Sequence, residues 1–477
     1  MNLPGLKPTA VVLAVSCWLG MHGQPSLFEG LNSGLSFGSP QAFLEDEASD
    51  ELRIVGSPST ADGSVHSPGV FMWDGEMFAP MGCGFNWSCQ GAPSPGGLGN
   101  PVYSLIEWDG SLYAGGGITS ASGVAIARVA RWDGAAWNPL GEGLDGMVYQ
   151  LRGYPDGLYA VGSFMHAGNV EANGLARWDG SAWHSVFDLP VIDVAGTNLL
   201  NDAIWYHDKL YIGGNFGGGA GTGLNDIACW DGAQWSPISN GFLGPFSTVF
   251  RFDIHDDLLY VAGGFADYPP NGNAANPGSG IVTWDGMNWG QLGVGTRGST
   301  NPSVLSMTWI NDELFVTGRF GRIGDVPTGR VAKWDGSRWC SLVPPDYFYP
   351  DLACVGQFRD TLIVGGSFTA AGPDSINRIA KWIGGSYTDS CSLVTGIQLV
   401  DPAPSGFTVA PNPATGSVNI AINTSQIGQQ LVLYDLLGRP VLKQHLVSDR
   451  SILQIGELAR GSYVVHIGGL TRRLVLE

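Results

Sequence analysis

The stretch "ARWDGAAW" at residues 130–137 returns almost unchanged as "ARWDGSAW" at residues 176–183. In both copies a β-prone run leads into Asp-Gly, and a second tryptophan follows five residues after the first. Asp-Gly predicts a two-residue hairpin turn, because Gly accepts a positive φ and Asp tolerates one. Any turn with an even number of residues places both tryptophans on one face of the hairpin. We therefore expect both indole rings to pack between this unit and its neighbour.

A tryptophan precedes Asp-Gly, or a degenerate form of it, once every 46 to 59 residues. The seven positions are Trp73, Trp132, Trp178, Trp230, Trp284, Trp334 and Trp382. Each copy also contains an upstream β-rich run that ends in glycines, such as "LYAGGG" at 112–117, and a further run before it. Four strands per copy at this period are typical of β-propellers. The sequence therefore predicts an all-β chain whose main part is a seven-bladed β-propeller.

The two ends of the repeat array depart from the pattern. Phe78 and Tyr387 take the place of the second tryptophan in the first and last copies. The segment "FEGLNSGL" at 28–35 is similar to "GEGLDGMV" at 141–148, which lies in the outer-strand region of another copy. We expect the segment at 28–35 to cross the ring closure and complete the last blade, which would protect an exposed strand edge.

Composition and charge agree with a turn-rich, aromatic β protein. The 477 residues include 72 Gly and 17 Trp, and 14 % of them are charged. The formal net charge is −19, and residues 25–396 alone carry −21. A segment so acidic repels phosphate backbones, which argues against nucleic acid as a partner.

Residues 1–23 have the proportions of a secretory signal peptide. Lys7 precedes an apolar run from Ala10 to Met21, which is too short for a stable membrane anchor, and small residues suited to cleavage follow. No later segment is apolar enough to be a transmembrane helix. We therefore expect an exported propeller at residues 24–392. The alternative to an ordinary signal peptide is a lipoprotein signal, in which Cys17 would be the lipid-attachment cysteine.

Six cysteines remain after such a cleavage, and an even number in an exported chain permits disulfides. The close pairs are Cys83 with Cys89 and Cys340 with Cys354. Free buried thiols are the alternative. A zinc site is a second alternative, although neither cysteine pair has C-x-x-C spacing and no histidine lies nearby in sequence.

The repeat pattern "LYxGGxF" followed by "IARWDGxxW" resembles the kelch-like propeller repeats of bacterial surface proteins and of fungal cortical polarity-marker proteins. The resemblance covers roughly residues 26–395 and implies the propeller fold. It departs from true kelch repeats, which add a tyrosine between the Gly pair and the Trp, and from WD repeats, which need an upstream Gly-His. No functional residue is carried over from either family.

After Cys391 the texture changes to a Pro-rich linker at residues 393–406 and then to short alternating strands at 407–477, the pattern of a small immunoglobulin-like β-sandwich. The last segment resembles the type A C-terminal sorting domain, or Por secretion tail, of the type IX secretion system of Bacteroidetes. The residues that carry the resemblance are Pro411, Asn412, Pro413, Tyr434, Asp435, Gly438, Arg439, Gly461, Tyr463, Arg472 and Arg473. The resemblance implies Sec passage, recognition by an outer-membrane translocon, and surface attachment or release. An ordinary immunoglobulin-like domain is the alternative.

Two sets of connections vary most in sequence, those after the Gly-rich strand and those between repeats. In a four-stranded blade both sets open on the same face of the ring, where propellers usually bind ligands. The longest of these connections present the candidate ligand-binding residues Trp87, Tyr268, Tyr347, Phe348, Tyr349, Asp267, Asp346 and Asp351. Exposed aromatic rings beside carboxylates suit stacking on sugars or gripping a peptide. The alternative is that these rings fix the loops onto the propeller.

Catalytic and metal-binding patterns are weak. "GLSFG" at 34–38 matches G-x-S-x-G, but no helix pattern follows Ser36, and H-E-x-x-H, Walker and D-x-D-x-D-G calcium patterns are missing from the sequence. No catalytic residue, metal site or cofactor is predicted, and structural calcium stays open as an alternative without a recognisable motif. We expect a monomeric, secreted or surface-attached binding or adhesion module with a glycan or surface protein as ligand. A polysaccharide-active hydrolase or lyase with carboxylates lining the central face and a structural surface-layer protein remain open alternatives.

Overall fold

A computed structural model describes residues 26–86, 101–189, 199–217, 223–244, 246–267, 273–299, 301–384, 408–410, 414–422, 427–435, 439–448, 450–456, 458–467 and 470–476. The predicted signal peptide and linker lie outside these residues. The chain divides into two compact units, Met1–Gly396 and Ile397–Glu477, which are described separately. The described residues are all-β, and no helix in them is long and apolar enough to cross a membrane.

The described part of the first unit contains seven four-stranded antiparallel sheets, or blades, whose strands are named a to d from the centre outward. Blades 1 to 4 consist of Pro40–Asp46, Glu51–Gly56, Val70–Trp73 and Phe78–Pro80; Val102–Trp108, Ser111–Gly116, Val129–Trp132 and Trp137–Pro139; Val148–Tyr154, Gly157–Gly162, Leu175–Trp178 and Trp183–Ser185; Leu199–Tyr206, Lys209–Gly217, Asn225–Trp230 and Trp235–Pro237. Blades 5 to 7 consist of Val249–His255, Leu258–Gly263, Ile281–Trp284 and Trp289–Gln291; Ser303–Ile310, Glu313–Arg319, Val331–Trp334 and Trp339–Ser341; Leu352–Phe358, Thr361–Gly366, Ile379–Trp382 and Phe28–Gly30.

The blades form a closed ring. Strand a of each blade contacts strand a of both neighbouring blades, and the contact between blades 7 and 1 completes the cycle. The predicted all-β propeller is therefore confirmed.

The ring is closed by the N-terminal strand, as the sequence predicts. Phe28 pairs with Trp382 and Gly30 with Ala380, so that Phe28–Gly30 is strand d of blade 7. Phe28 packs edge-on against the Trp382 ring at 5.0 Å between centroids. The described partner of Trp382 is thus Phe28, whereas Tyr387 lies outside the described residues.

The repeated Asp-Gly turn is longer than the sequence predicts. Trp132 pairs directly with Trp137, which leaves a loop of four residues, 133–136, rather than two. The Asp133 carboxylate accepts hydrogen bonds from the N–H groups of Ala135 at 2.9 Å and Ala136 at 2.8 Å, and Gly134 has a φ of 98°. The carboxylates that accept the equivalent pair of bonds in other blades are Asp74, Asp179, Asp231, Asp285 and Asp335. The turn still has an even length, so both tryptophans lie on one face.

These tryptophans join neighbouring blades. Trp178 and Trp183 lie with ring centroids 5.4 Å apart and share a buried cluster with Tyr113 and Val129 of blade 2. The Trp183 indole N–H also donates to the carbonyl of Leu140 in the preceding connection at 3.1 Å. An aromatic side chain can bury roughly 150 to 250 Å² in such a place. The repeated aromatic pair is therefore a packing device between blades.

The two variable sets of connections meet on one face of the ring, the loop face. The b–c connections of blades 1, 2, 3, 6 and 7 contain a short hairpin. Several d–a connections pair with the hairpin of the blade they enter, as Leu35 does with Ala61 and Phe348 with Ala371. The short strands of this face are Leu35–Ser36, Thr60–Ala61, Val65–His66, Ser120–Ala121, Val124–Ala125, His166–Ala167, Val170–Glu171, Thr296–Arg297, Arg322–Ile323, Val326–Pro327, Phe348–Tyr349, Ala370–Ala371 and Asp374–Ser375. This pairing confirms that both sets open on the same side.

The second unit contains two antiparallel sheets in its described residues. One consists of Thr408–Ala410, Ser417–Ala421 and Arg450–Gln454, and the other of Pro440–His445, Gln430–Tyr434, Gly461–Ile467 and Leu470–Leu476. Both sheets contribute to one buried cluster, which includes Val418 and Leu453 from the first and Leu433 and Val465 from the second. Shared burial of this kind is what two packed sheets require.

The predicted bridge between Cys340 and Cys354 is wrong. Cys354 is a free thiol, 2 % exposed, on strand a of blade 7, whereas Cys340 is disulfide-bonded. Burial raises the pKa of the Cys354 thiol, which keeps it protonated and unreactive. Cys83 is also disulfide-bonded, but Cys89 lies outside the described residues, so the Cys83–Cys89 pair stays a prediction.

Candidate functional site

Every strand a contains a β-bulge near its start. The pairing with strand b slips by one residue there, for instance between Val148 and Gln150 in blade 3. The seven skipped residues are Gln41, Tyr103, Tyr149, Asn201, Phe250, Leu305 and Ala353. A bulge leaves its extra residue unpaired and re-aims the side chain. Seven such side chains therefore encircle the centre of the ring.

The glycine at the end of the repeated Gly-rich strand makes this bulge possible. A Cβ at Gly162 would overlap the carbonyl oxygen of Met147, which precedes strand a of the same blade, and Gly366 stands in the same relation to Asp351. The backbones approach too closely for any side chain at this position. The repeated glycine thus has a structural purpose, and that purpose shapes the central site.

The bulge residues line a cavity of about 480 Å³ at the loop face. The wall is completed by Ser39, Arg251, Arg319, Asp351, Leu352 and Ser367. The volume lies within the range of small-molecule sites, roughly 300 to 1,000 Å³. A mixed wall of apolar, aromatic and neutral polar groups with few charges is the composition that such sites share.

Two tyrosines form one side of this cavity. The Tyr103 and Tyr149 rings meet at 5.3 Å in an edge-to-face arrangement. Burial raises the pKa of the Tyr103 phenol, and the neighbouring Tyr149 adds to the effect. The raised pKa keeps the Tyr103 phenol neutral over the physiological range, so that it can donate or accept hydrogen bonds.

Asn201 joins blades 4 and 5 beside the same cavity. Its amide donates to the carbonyl of Val249 at 2.8 Å, which fixes the orientation of the side chain. The bulge residue Phe250 follows Val249 directly. Asn201 and Phe250 both line the cavity, so that its wall offers an aromatic side chain and an amide oxygen that can accept a hydrogen bond from a ligand hydroxyl.

Three aromatic side chains of the d–a connections, named the rim aromatics, are exposed on the loop face. Phe37 is 74 % exposed, Phe246 is 56 % exposed and Tyr349 is 69 % exposed. Each stands four residues before the bulge residue of the blade that it leads into. Their common position places them on the loop face at three points of the ring. Exposed rings on the face that opens the cavity suit contact with the flat faces of a ligand.

Asp351 is the carboxylate at the mouth, and arginines neutralise it. Arg330 donates to it at 2.7 Å, and the Arg319 guanidinium lies 3.6 Å from its other oxygen. Among the described residues that line this cavity, Asp351 is the single acidic side chain. Acid–base hydrolysis of a glycosidic bond uses two carboxylates.

A narrower channel of about 370 Å³ continues from the cavity into the ring. Arg152 lines it and makes a bidentate ion pair with the fully buried Asp202 of the next blade, with bonds of 3.0 and 2.7 Å. Asp202 also accepts from the N–H of Phe252 at 2.8 Å. This pair joins blades 3, 4 and 5, and its charges are satisfied within the protein.

The structure separates the predicted ligand-binding residues. Tyr347 and Phe348 are buried, at 1 % and 0 % exposure, and the Tyr347 hydroxyl accepts a hydrogen bond from the Leu27 N–H at 2.7 Å. The prediction that they are exposed ligand contacts is therefore wrong, since they fix the d–a connection onto the closing strand instead. Tyr349 is exposed, because successive residues of the short strand Phe348–Tyr349 face opposite ways.

The remaining predicted residues lie apart from the cavity or outside the described chain. Asp267 accepts from Ser279 at 2.7 Å and pairs with Arg297 at 3.1 Å, which favours a structural role in its loop. Asp346 is exposed, with a φ of 61°. Trp87 and Tyr268 lie outside the described residues, so their roles stay predictions.

Sequence reasoning missed Arg251, Phe37, Phe246 and the seven bulge residues. The signal that could have found them is positional. The bulge residue is the second or third residue of the strand before each Gly-rich strand, and the rim aromatic lies four residues earlier. The residue type at these positions changes from blade to blade, so a pattern of repeated residues does not contain them.

In the second unit, Asp435 and Arg439 close a turn between two strands. The Arg439 N–H and Nε donate to the Asp435 carboxylate at 2.9 and 2.7 Å. The Tyr463 hydroxyl donates to the carbonyl of Ala459 at 2.7 Å. Tyr434 ends one strand, Gly461 begins another, and the last strand carries Arg472 and Arg473. Pro411, Asn412, Pro413 and Gly438 lie outside the described residues.

Residues 408–475 match the family model of the secretion system C-terminal sorting domain. This match confirms the predicted sorting tail, which implies secretion through the type IX system and a cell-surface or secreted location. The β-agarase A of Zobellia galactanivorans is 29 % identical over 82 residues, which are 17 % of this chain and 15 % of the agarase. The chain therefore spans a small part of this curated relative.

Solved structures with similar shape are distant in sequence. The extracellular domain of a one-component system from B. thetaiotaomicron matches with a TM-score of 0.46 and 12 % identity, over 94 % of this chain and 52 % of that one. PorZ, a surface component of the type IX secretion system of Porphyromonas gingivalis, matches with a TM-score of 0.34 and 12 % identity, over 90 % and 68 %. The β-propeller domain of the Trilobed protease from Pyrococcus furiosus matches with a TM-score of 0.38 and 11 % identity, over 73 % and 94 %.

Proposed function

We propose that this protein is an exported β-propeller that binds glycans in the central cavity of its loop face and is attached to the cell surface or released. One observation carries the proposal. Seven bulge residues from seven blades line one cavity of about 480 Å³. The exposed rings of Phe37, Phe246 and Tyr349 lie on the same face of the ring, each four residues before a bulge residue.

The chemistry of the wall suits a sugar. Hydroxyl groups of a sugar find neutral donors and acceptors in Gln41, Ser39 and the two tyrosine phenols, while its apolar ring face can stack on an aromatic side chain. These groups are held by a rigid ring of strands, so little conformational entropy is lost when a ligand enters. Binding is better supported than hydrolysis, because the cavity offers the single carboxylate Asp351, already paired with arginine.

The test is a glycan array probed with the purified full chain, followed by titration calorimetry on each hit. We expect binding without product formation. The triple variant Phe37→Ala, Phe246→Ala, Tyr349→Ala should bind at least about tenfold more weakly, because stacking area at the rim is lost.

Met287→Ala is the matched control, since Met287 is 80 % exposed in a turn on the opposite face of the ring. This variant should bind as the unmodified chain does. Cleavage of a bound glycan would replace the proposal with an enzymatic one, and an array without any hit would overturn it.

A further inference from the structure

Arg251 occupies the junction between the cavity and the channel. It borders both spaces, as do Gln41 and Tyr103. It follows the bulge residue Phe250 directly, and its Nη1 donates to the carbonyl of Phe250 at 3.1 Å. The guanidinium is therefore held at the inner end of the cavity by its own backbone, with further N–H groups left to bind a ligand.

The charge of Arg251 has no counter-ion within 4 Å among the described residues. Asp202 is engaged by Arg152 and Asp351 by Arg330. Of the two other carboxylates that line the channel, Glu45 accepts from the Arg359 N–H at 2.7 Å, and burial raises the pKa of Asp253, which disfavours its charged form. Burial lowers the pKa of the Arg251 guanidinium, Asp202 opposes this lowering and Arg152 adds to it. A partly buried cation without a partner costs free energy, which an anionic ligand would recover.

The equivalent residues of other blades show what this position does elsewhere. The Ser104 hydroxyl accepts from the Leu151 N–H of the next blade at 3.0 Å, and Asp202 accepts in the same way from Phe252. Both residues join their blade to its neighbour. An arginine has no acceptor and cannot make this bond. The side chain of Arg251 therefore does not join its blade to the next one in this way.

We propose that the cavity binds an acidic sugar residue whose anionic group, a carboxylate or a sulfate ester, pairs with Arg251. A guanidinium presents parallel N–H groups that match the two oxygens of such an anion. Gln41 and Tyr103 lie beside it to accept or donate hydrogen bonds to the sugar hydroxyls. The acidic surface of the propeller repels anions at long range, so recognition depends on this local contact. The inference rests on the proposed function and names the ligand class for the same site.

The experiment is calorimetry of the full chain with three tetrasaccharides: oligogalacturonate, a sulfated galactan fragment and the neutral cellotetraose. The two acidic probes distinguish the carboxylate from the sulfate. We expect one of them to bind more tightly than the neutral probe and to weaken as salt is added. Arg251→Gln should weaken that binding at least about tenfold, and Arg251→Lys should retain part of it.

Arg322→Gln is the matched control, because Arg322 is exposed on the loop face but does not line the cavity. It should leave binding unchanged. Arg251→Gln should also leave the thermal midpoint of the free protein unchanged or raised, since it removes a cation that no carboxylate pairs with. Equal binding of the acidic probe by Arg251→Gln and the unmodified chain would overturn the inference. Binding of the neutral probe alone would overturn it while leaving the proposed function intact, and failure of all three probes together with an empty glycan array would overturn both.

Discussion

The two faces of the propeller differ in how far their residue types repeat from blade to blade. On the turn face, which carries the a–b and c–d turns, six blades repeat an aspartate that accepts two backbone N–H groups. In five of these blades the aspartate lies beside a pair of packed tryptophans. On the loop face, the residues at equivalent positions change from blade to blade, from Gln41 to Phe250 to Ala353. Residue types that repeat from blade to blade are therefore those that stabilise the ring. Variation at a fixed position marks what the ring is free to present to a ligand.

The largest effect should come from the aromatic pairs. Trp178→Ala should lower the free energy of unfolding by about 3 to 5 kcal/mol, because it removes a ring, 7 % exposed, from the cluster between blades 2 and 3. Urea denaturation followed by fluorescence measures the change. Met287→Ala, an exposed turn residue, serves as the control and should stay within about 0.5 kcal/mol. Equal stability of both variants would show that the tryptophans do not join the blades.

A smaller effect is expected from the turn carboxylate. Asp335 accepts from the N–H groups of Ser337 and Arg338, and these bonds lower its pKa against an opposing effect of burial. Asp335→Ala should therefore cost about 1 to 2 kcal/mol at pH 7.

The same variant has a defined pH dependence. A carboxyl whose pKa is lowered by folding contributes stability above its unfolded pKa of about 3.9, and this contribution disappears as the pH falls through the folded pKa. The stability difference between Asp335→Ala and the unmodified chain should thus shrink from pH 6 towards pH 2, measured by thermal unfolding. Asp325→Ala, at an exposed residue of the b–c connection of the same blade, is the control and should change the free energy of unfolding at pH 7 by less than about 0.5 kcal/mol. A difference that stays constant with pH would remove the ionised carboxylate from the explanation.

The smallest effect on stability should come from the rim. Phe37→Ala should change the free energy of unfolding by less than about 0.5 kcal/mol, because the side chain is 74 % exposed. The same variant should weaken glycan binding. A large loss of stability in Phe37→Ala together with unchanged glycan binding would contradict the comparison of the two faces, because the loop face would then stabilise the ring.

Much of the fold can be predicted from the sequence because the same strand and turn pattern occurs seven times, once in each blade. The ring closure was predictable as well, since the outer-strand pattern at 28–35 has no other blade to join. The turn length was not, because the hydrogen bonds that the Asp133 side chain makes to its own loop are invisible in a residue pattern. The sulfur pairing failed for a related reason: Cys354 lies in strand a, and its neighbours there come from distant parts of the chain.

The candidate site was predicted on the correct face but with partly wrong residues. Tyr347, Phe348 and Tyr349 look alike in sequence, and what separates them is the alternation imposed by the pairing of a two-residue strand. Arg251 and the bulge residues come from strands about fifty residues apart. Their meeting is a property of the closed ring, so no local pattern predicts it.

The closing strand makes completeness of the chain a condition for its folding. Phe28 precedes the first blade in the chain, yet its partner Trp382 belongs to the last blade, so this contact forms only when every blade between them is present. A chain cut short by a protease or by early termination keeps an open sheet edge, the feature that invites aggregation and degradation. The closing strand therefore distinguishes a complete ring from an incomplete one, because a molecule that lacks a blade leaves a strand edge uncovered and open to aggregation and degradation.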